Sequence, residues 1–296
     1  MTRTLGSRTA DELHTQPDCW RRAVEVADAE SAKLPAPGAR VLALGCGTSY
    51  YMAKAYAELR EQAGLGETDA LVAGELPSRR RPYDHVVVIS RSGTSAEVVA
   101  ALQRLRGEVH STALVGVSDS PVASLADQVV DLGFADETSV VQTRFATTGL
   151  AVLRASLGED LAPLVTAAEE ALAAPLPALP KRQLVVLATG WATNIAEEAA
   201  LKCRESAGAW VEAYPAGEYR HGPIAVADAE TLVWALSPLT DTQRTAVLAT
   251  GAAVEQGRLD PMAELVRIQR FAVEWAVSRG RDADVPVNLS RSVTDV

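Results

Sequence analysis

The segment Ser90-Arg91-Ser92-Gly93-Thr94-Ser95 packs four hydroxyls, one guanidinium and one glycine into six residues. Hydroxyls and backbone N–H groups grip phosphate oxygens multidentately, each bond to a charged acceptor being worth about 1.5–3 kcal/mol net. Capping of a following helix uses one hydroxyl and leaves the others over. A second segment, Gly45-Cys46-Gly47-Thr48-Ser49, follows an apolar run and opens a helical one. Glycines there allow close approach to the backbone, and helix N–H groups face any bound anion. The pattern is not GxGxxG, and no acidic residue stands where a ribose contact belongs, so a dinucleotide is not expected.

A different chemistry sits further along. Glu198, Lys202 and Glu205 fall at i, i+4 and i+7, on one face of a helical segment. Such a face is either a solvated ion-pair ladder or a carboxylate base beside a cation, and spacing alone leaves both open. The polar, aromatic, Gly/Pro-rich run Glu212–Pro223 follows and reads as a shaped loop. It carries His221, one of only 4 histidines and the side-chain type best suited to relay protons near neutrality.

Elements must position these groups. Apolar runs at Val41–Leu44, Ala70–Val72, His85–Ile89, Ala113–Val117 and Val129–Leu132 alternate with helical stretches, which predicts an α/β fold with a parallel sheet covered on both faces. Residues 11–33 read as a docking helix with Pro17 near its start, and Leu150–Leu172 as another helix. Pro175, Pro177 and Pro180 break the pattern. A strand run at Leu184–Ala188 followed by Thr189-Gly190 and a helix echoes Leu42–Gly47, pointing to an internal duplication. After Leu232–Leu236, residues 241–280 show only helical patterns, so the second lobe is expected to be shortened. The expected organisation is a helical lead-in over 1–37, a first lobe carrying the two hydroxyl-bearing segments over 38–174, a Pro-rich linker over 175–183 and a second lobe with a C-terminal tail over 184–296.

Composition narrows the function. At 296 residues, 48% hydrophobic and 22% charged, the chain is an ordinary globular one with room for a sizeable core. The net charge of −10 opposes general nucleic-acid binding. No apolar run reaches membrane-spanning length and the N-terminus lacks a signal-peptide core, so no membrane association and a cytoplasmic location are expected. Cys19, Cys46 and Cys203 match no disulfide or metal spacing. No metal and no cofactor are expected.

GCGTS, SRSGTSAE and ALKCRESAGAWVEAYPAGEYRHGP, in that order, resemble the motifs of the two-lobed sugar isomerase (SIS) domain family, and the closing NLSRSVT is similar to the tail of the isomerase half of glucosamine-6-phosphate synthase. The resemblance spans residues 41–296, and the lead-in DELHTQPDCW is similar to that of the amino-sugar-phosphate deaminase/isomerases. It implies two SIS-type lobes, each a flavodoxin-like three-layer αβα sandwich. It implies that Gly47, Thr48, Ser49, Ser90, Arg91, Ser92, Ser95 and Arg291 surround a sugar phosphate. It implies further that Glu205 is the base moving a proton between sugar C1 and C2, that Lys202 neighbours it, and that His221 opens the ring from the partner subunit of a homodimer with shared active sites. Three positions depart from the family: Arg91 stands where the synthase has glutamine, Arg291 stands where the synthase has an imine-forming lysine, which rules out imine chemistry through the tail because guanidinium stays protonated, and Gln142 stands at a serine position of the sugar site. The expected function is a phosphosugar aldose-ketose isomerase, by preference an amino-sugar 6-phosphate deaminase/isomerase. Its rivals are a fructosamine-type phosphate deglycase and a non-catalytic phosphosugar-binding regulator.

Overall fold

The computed structural model describes residues 4–295. Two N-terminal helices, α1 (Ser7–His14) and α2 (Gln16–Ala29), precede β1 (Val41–Gly45), α3 (Thr48–Gln62), β2 (Thr68–Val72), β3 (His85–Ser90), α4 (Ala96–Leu105), β4 (His110–Val115), α5 (Pro121–Leu125) and β5 (Gln128–Asp131). Then come α6 (Arg144–Ser156), α7 (Ala162–Ala173), β6 (Gln183–Ala188), α8 (Ala192–Ala207), β7 (Val211–Pro215), β8 (Thr231–Ala235), α9 (Asp241–Leu248), β9 (Ala253–Gln256) and α10 (Pro261–Ser278). The strands form two all-parallel sheets, ordered β2-β1-β3-β4-β5 and β7-β6-β8-β9.

Near-continuous apolar strands are what a parallel sheet covered on both faces requires. Leu42, Leu44, Val86, Val88, Ala113 and Val115 pack under Val98, Leu102 and Leu105 of α4 and Val122 of α5. On the other face Gly149 of α6 lies against Ile89 and Leu114. In the second sheet Val185, Leu187, Val233 and Ala235 meet Val247 of α9, while Trp234 stacks edge-on to Phe271 of α10.

The chain divides into two compact units. One holds the five-stranded sheet with residues 15–138, 142–165 and 290–295; the other holds the four-stranded sheet with residues 4–14, 139–141 and 166–289. This division differs from the expected one in three places. The lead-in is split, α1 joining the four-stranded unit, where Asp284 accepts bonds from the Thr9 N–H (2.7 Å) and hydroxyl (2.8 Å). The boundary falls inside α7 rather than in the Pro-rich stretch, and the tail joins the five-stranded unit.

Several expected elements are corrected. Residues 11–33 form two helices, with Pro17 in the first turn of α2, a position that needs no N–H donor. Leu150–Leu172 is also two helices, broken at Gly158, whose φ is +86°. The run read as pure loop after residue 211 begins with strand β7, and residues 241–280 contain strand β9. Both are edge strands with polar side chains, which blunts the apolar signal that marks interior strands. The second sheet thus has one strand fewer than the first.

At the start of β3 the buried His85 ring bonds Thr112 Oγ1 (2.8 Å) and stands edge-on to His110 at 5.0 Å. Burial, with His110 and Arg60 adding to it, depresses its pKa to about 4. The folded protein therefore holds His85 neutral, while the unfolded chain protonates it below about pH 6.5, so this group withdraws stability as pH falls from about 6.5 and stops doing so below about 4. Urea unfolding at about pH 7 and about pH 4.5 should show a smaller loss for His85→Gln than for the wild type; equal losses would assign the acid sensitivity to other groups.

Candidate functional site

In the five-stranded unit the chain leaves β1 through a turn that only glycine can make. A Cβ on Gly45 would stand 2.5 Å from the Ser49 carbonyl carbon, and Gly47 has φ +53°. Helix α3 therefore begins directly over the strand end, with Thr48 and Ser49 buried in its first turn and no side chain capping it.

The neighbouring strand β3 leads into the hydroxyl-rich loop. Ser90 and Arg91 are buried, and Gly93 (φ +64°) passes so close to Ser120 that a Cβ would meet its Oγ at 2.0 Å. Ser95 occupies the N-cap position of α4 without making a side-chain cap bond. The first N–H of the helix is taken instead by the C-terminal tail, whose Val293 carbonyl accepts from Ala96 N–H (3.0 Å). The tail also reaches the hydroxyls: Ser92 Oγ bonds Ser292 Oγ at 3.1 Å, and Thr94 Oγ1 bonds both Ser92 Oγ (3.0 Å) and Ser292 Oγ (2.9 Å). Arg91 donates to the Arg291 carbonyl at 2.6 Å. The Arg291 guanidinium itself turns to Asp136, with Nη2 2.6 and 2.7 Å from the two carboxylate oxygens. So the structure brings Arg91, Ser92, Thr94 and the Arg291 backbone together, while the Arg291 side chain is held by a carboxylate. Gln142 lies just before α6, its buried Oε1 without a hydrogen-bond partner among the described residues.

In the four-stranded unit, α8 carries the second cluster. Lys202 is buried; its ammonium pairs with Glu205 and stands 3.5 Å from Glu198 Oε1. The two carboxylates differ in access, Glu198 being fully enclosed and the Glu205 side chain 18% exposed. A lone solvated ladder would not bury its cation. Beside them the Cys203 thiol is pushed up to about 12 by burial and is chemically quiet. His221 ends a short 3-10 turn, Tyr219–His221; its ring is exposed and makes no hydrogen bond or ion pair among the described residues. Tyr219, buried in the same turn, is pushed up to about 12, chiefly by burial and then by Glu212 and Tyr214. Among the described residues no cluster of three or more His, Cys, Asp or Glu is placed to hold a metal.

Sequence reasoning named the hydroxyl loop but missed that Ser292 and Asp136 belong to its surroundings. The resemblance had put Arg291 of the tail beside the loop, but Ser292 and Asp136 were not foreseen, because a contact 200 residues away leaves no local pattern.

Residues 179–258 match the SIS domain family. The chain is homologous to glutamine–fructose-6-phosphate aminotransferases, being 27% identical to that of Caulobacter vibrioides over 96% of this chain and 29% identical to that of Gluconobacter oxydans over 88%. It spans about half the length of these curated relatives, 58% and 52% respectively. Among solved structures, the fold matches glucosamine-6-phosphate deaminase from Thermotoga maritima with a TM-score of 0.82 at 23% identity, covering 97% of this chain and 99% of that one. It also matches the C-terminal domain of the Francisella tularensis aminotransferase, with a TM-score of 0.79 at 21% identity over 94% and 98% of the two chains.

Replacing Ser92 with Ala removes one of three hydroxyls that bond one another between the loop and the tail. If the loop cradles phosphate, calorimetry should show the affinity for a sugar 6-phosphate falling roughly tenfold, with the weak affinity for the unphosphorylated sugar unchanged. Equal losses for both would mean the loop does not hold phosphate.

Proposed function

We propose that the chain catalyses aldose–ketose isomerisation of an amino-sugar 6-phosphate with release of the amine. The observation that carries this reading is Glu205, a partly accessible carboxylate held by a buried ammonium on α8. An anonymous structural ion pair has no need to leave one oxygen-bearing end within reach of solvent. The relatives point the same way, one being named a glucosamine-6-phosphate deaminase and another a tagatose-6-phosphate ketose/aldose isomerase from Escherichia coli.

The residues divide the work. Thr48, Ser49, Ser90, Arg91, Ser92 and Ser95 bind the phosphate through hydroxyls and loop N–H groups. Glu205 takes the C2 proton of the ring-opened amino aldose, leaving an enolamine once O1 takes a proton from solvent, and returns its own proton to C1. The C2 iminium so formed is hydrolysed by water to the ketose and ammonium, which balances the reaction without oxidant or reductant. Lys202 positions Glu205 and offsets its charge. His221, exposed in its own chain, relays the proton that opens the sugar ring and does so for the partner subunit of a homodimer. Imine chemistry through the tail is absent from this scheme, because Arg291 cannot act as a nucleophile. A cytoplasmic location is part of the same reading; no helix among the described residues is long and apolar enough to cross a membrane.

In Glu205→Gln the affinity for glucosamine 6-phosphate should stay within a few-fold, while kcat falls by about a hundredfold or more, the loss typical of a missing general base. A thermal melt run beside it reports stability. Unchanged kcat with a lowered melting temperature would return Glu205 to a structural role, and tight binding with no turnover in the wild type would favour a phosphosugar-sensing regulator.

A further inference from the structure

At the carboxyl end of edge strand β9 a cavity of about 370 Å³ is lined by Arg244 of α9, Gln256, Arg258 of the following loop, Arg267 of α10 and Glu170 of α7. That volume is in the range of small-molecule sites, roughly 300–1,000 Å³. Its base is built from buried charge. Glu264 is fully enclosed and accepts from Arg258 N–H (2.9 Å), Leu259 N–H (3.2 Å), Arg267 Nη1 (2.9 Å) and Trp234 Nε1 (3.3 Å). Arg267, also buried, donates to Glu255 (2.6 Å) and to the Pro175 carbonyl (2.9 Å). Its Nε–H has no acceptor among the described residues.

These groups fix the loop after β9 from both sides. Gly257 runs so close that a Cβ would stand 2.8 Å from the Ala235 carbonyl and 2.9 Å from Glu264 Cδ. Gln256 Nε2 donates to the Ser237 and Gly257 carbonyls, both at 3.1 Å. Enclosing charges costs stability unless every one is matched, so a buried Glu–Arg pair is weak evidence for stability and better evidence for imposed geometry. Here the geometry imposed is that of the backbone that presents Arg258.

The cations left without a partner then select the ligand. Glu255 and Glu264 both pair with Arg267, which is thereby committed within the base. Arg244 and Arg258 are exposed and have no carboxylate partner among the described residues, on a chain of net charge −10. Two guanidiniums around one preformed cavity suit an anion with several oxygens, and Glu170 can accept from hydroxyl groups. We infer that this cavity binds a small phosphorylated polyol, with its phosphate on Arg244 and Arg258, at a site other than the Ser90–Ser95 loop.

Ribitol 5-phosphate, which has no carbonyl and cannot be isomerised, is a suitable probe for calorimetry on the whole chain. The wild type should bind two equivalents per chain. Arg244→Gln/Arg258→Gln should bind one, the affinity of the lost site dropping by at least about a hundredfold. Both residues are exposed, and a melting curve matching the wild type certifies the fold. A double variant that binds as many equivalents as the wild type, or that loses two, overturns the assignment, whereas one equivalent in the wild type and none in the variant upholds it and removes the loop site instead.

Discussion

A lysine ammonium enclosed on α8 is the interaction around which the second sheet's chemistry is arranged. Taking such a cation out of water costs several kcal/mol, and only close carboxylates return it. Glu198, equally enclosed, and Glu205 supply them from one turn to either side. The register of the helix thereby fixes which carboxylate stays inside and which reaches the surface. The helix is anchored in turn: Gly208 closes it in the left-handed conformation, and Arg204 bonds the Val211 carbonyl at the start of β7 at 2.8 Å. Glu205 is thus a carboxylate whose position is set by tertiary structure rather than by its own rotamer freedom, which is the condition a base acting on a carbon-bound proton must meet.

The hydroxyl loop of the other unit obeys a different constraint. Its donors and acceptors are not left waiting; Ser92, Thr94 and Ser292 satisfy one another, and the tail takes the first free N–H of α4. Under the proposed function a phosphate would exchange these neutral bonds for charge-assisted ones, which are roughly twice as strong, so a loop already ordered would still gain by binding. Asp136 keeps the tail in place through Arg291, so the side chain that replaces the family's lysine has a partner of its own.

Much of this was legible in the residues. Unbroken apolar runs announce strands, and the five runs of the first sheet fall where the strands are, its edge strands β2 and β5 included. The two glycine turns were legible too, because a strand that hands over to a helix within two or three residues demands them. The edge strands β7 and β9 were not, since Val211-Glu-Ala-Tyr-Pro and Ala253-Val-Glu-Gln carry the polar side chains an edge tolerates. The spacing of Glu198, Lys202 and Glu205 gave the shared face but not its burial, which depends on α10 and the sheet packed around α8. The tail's return to the loop and the buried Glu264–Arg267 pair depend on contacts that no local period encodes.

That the α8 carboxylate performs proton transfer is tested most directly by the wild-type protein in deuterium oxide. Incubated with glucosamine 6-phosphate, it should release ammonium and give a ketose carrying solvent deuterium at C1, while recovered substrate gains deuterium at C2, both read by proton NMR. Ligand binding with no deuterium in either molecule and no ammonium would contradict a catalytic role for the site.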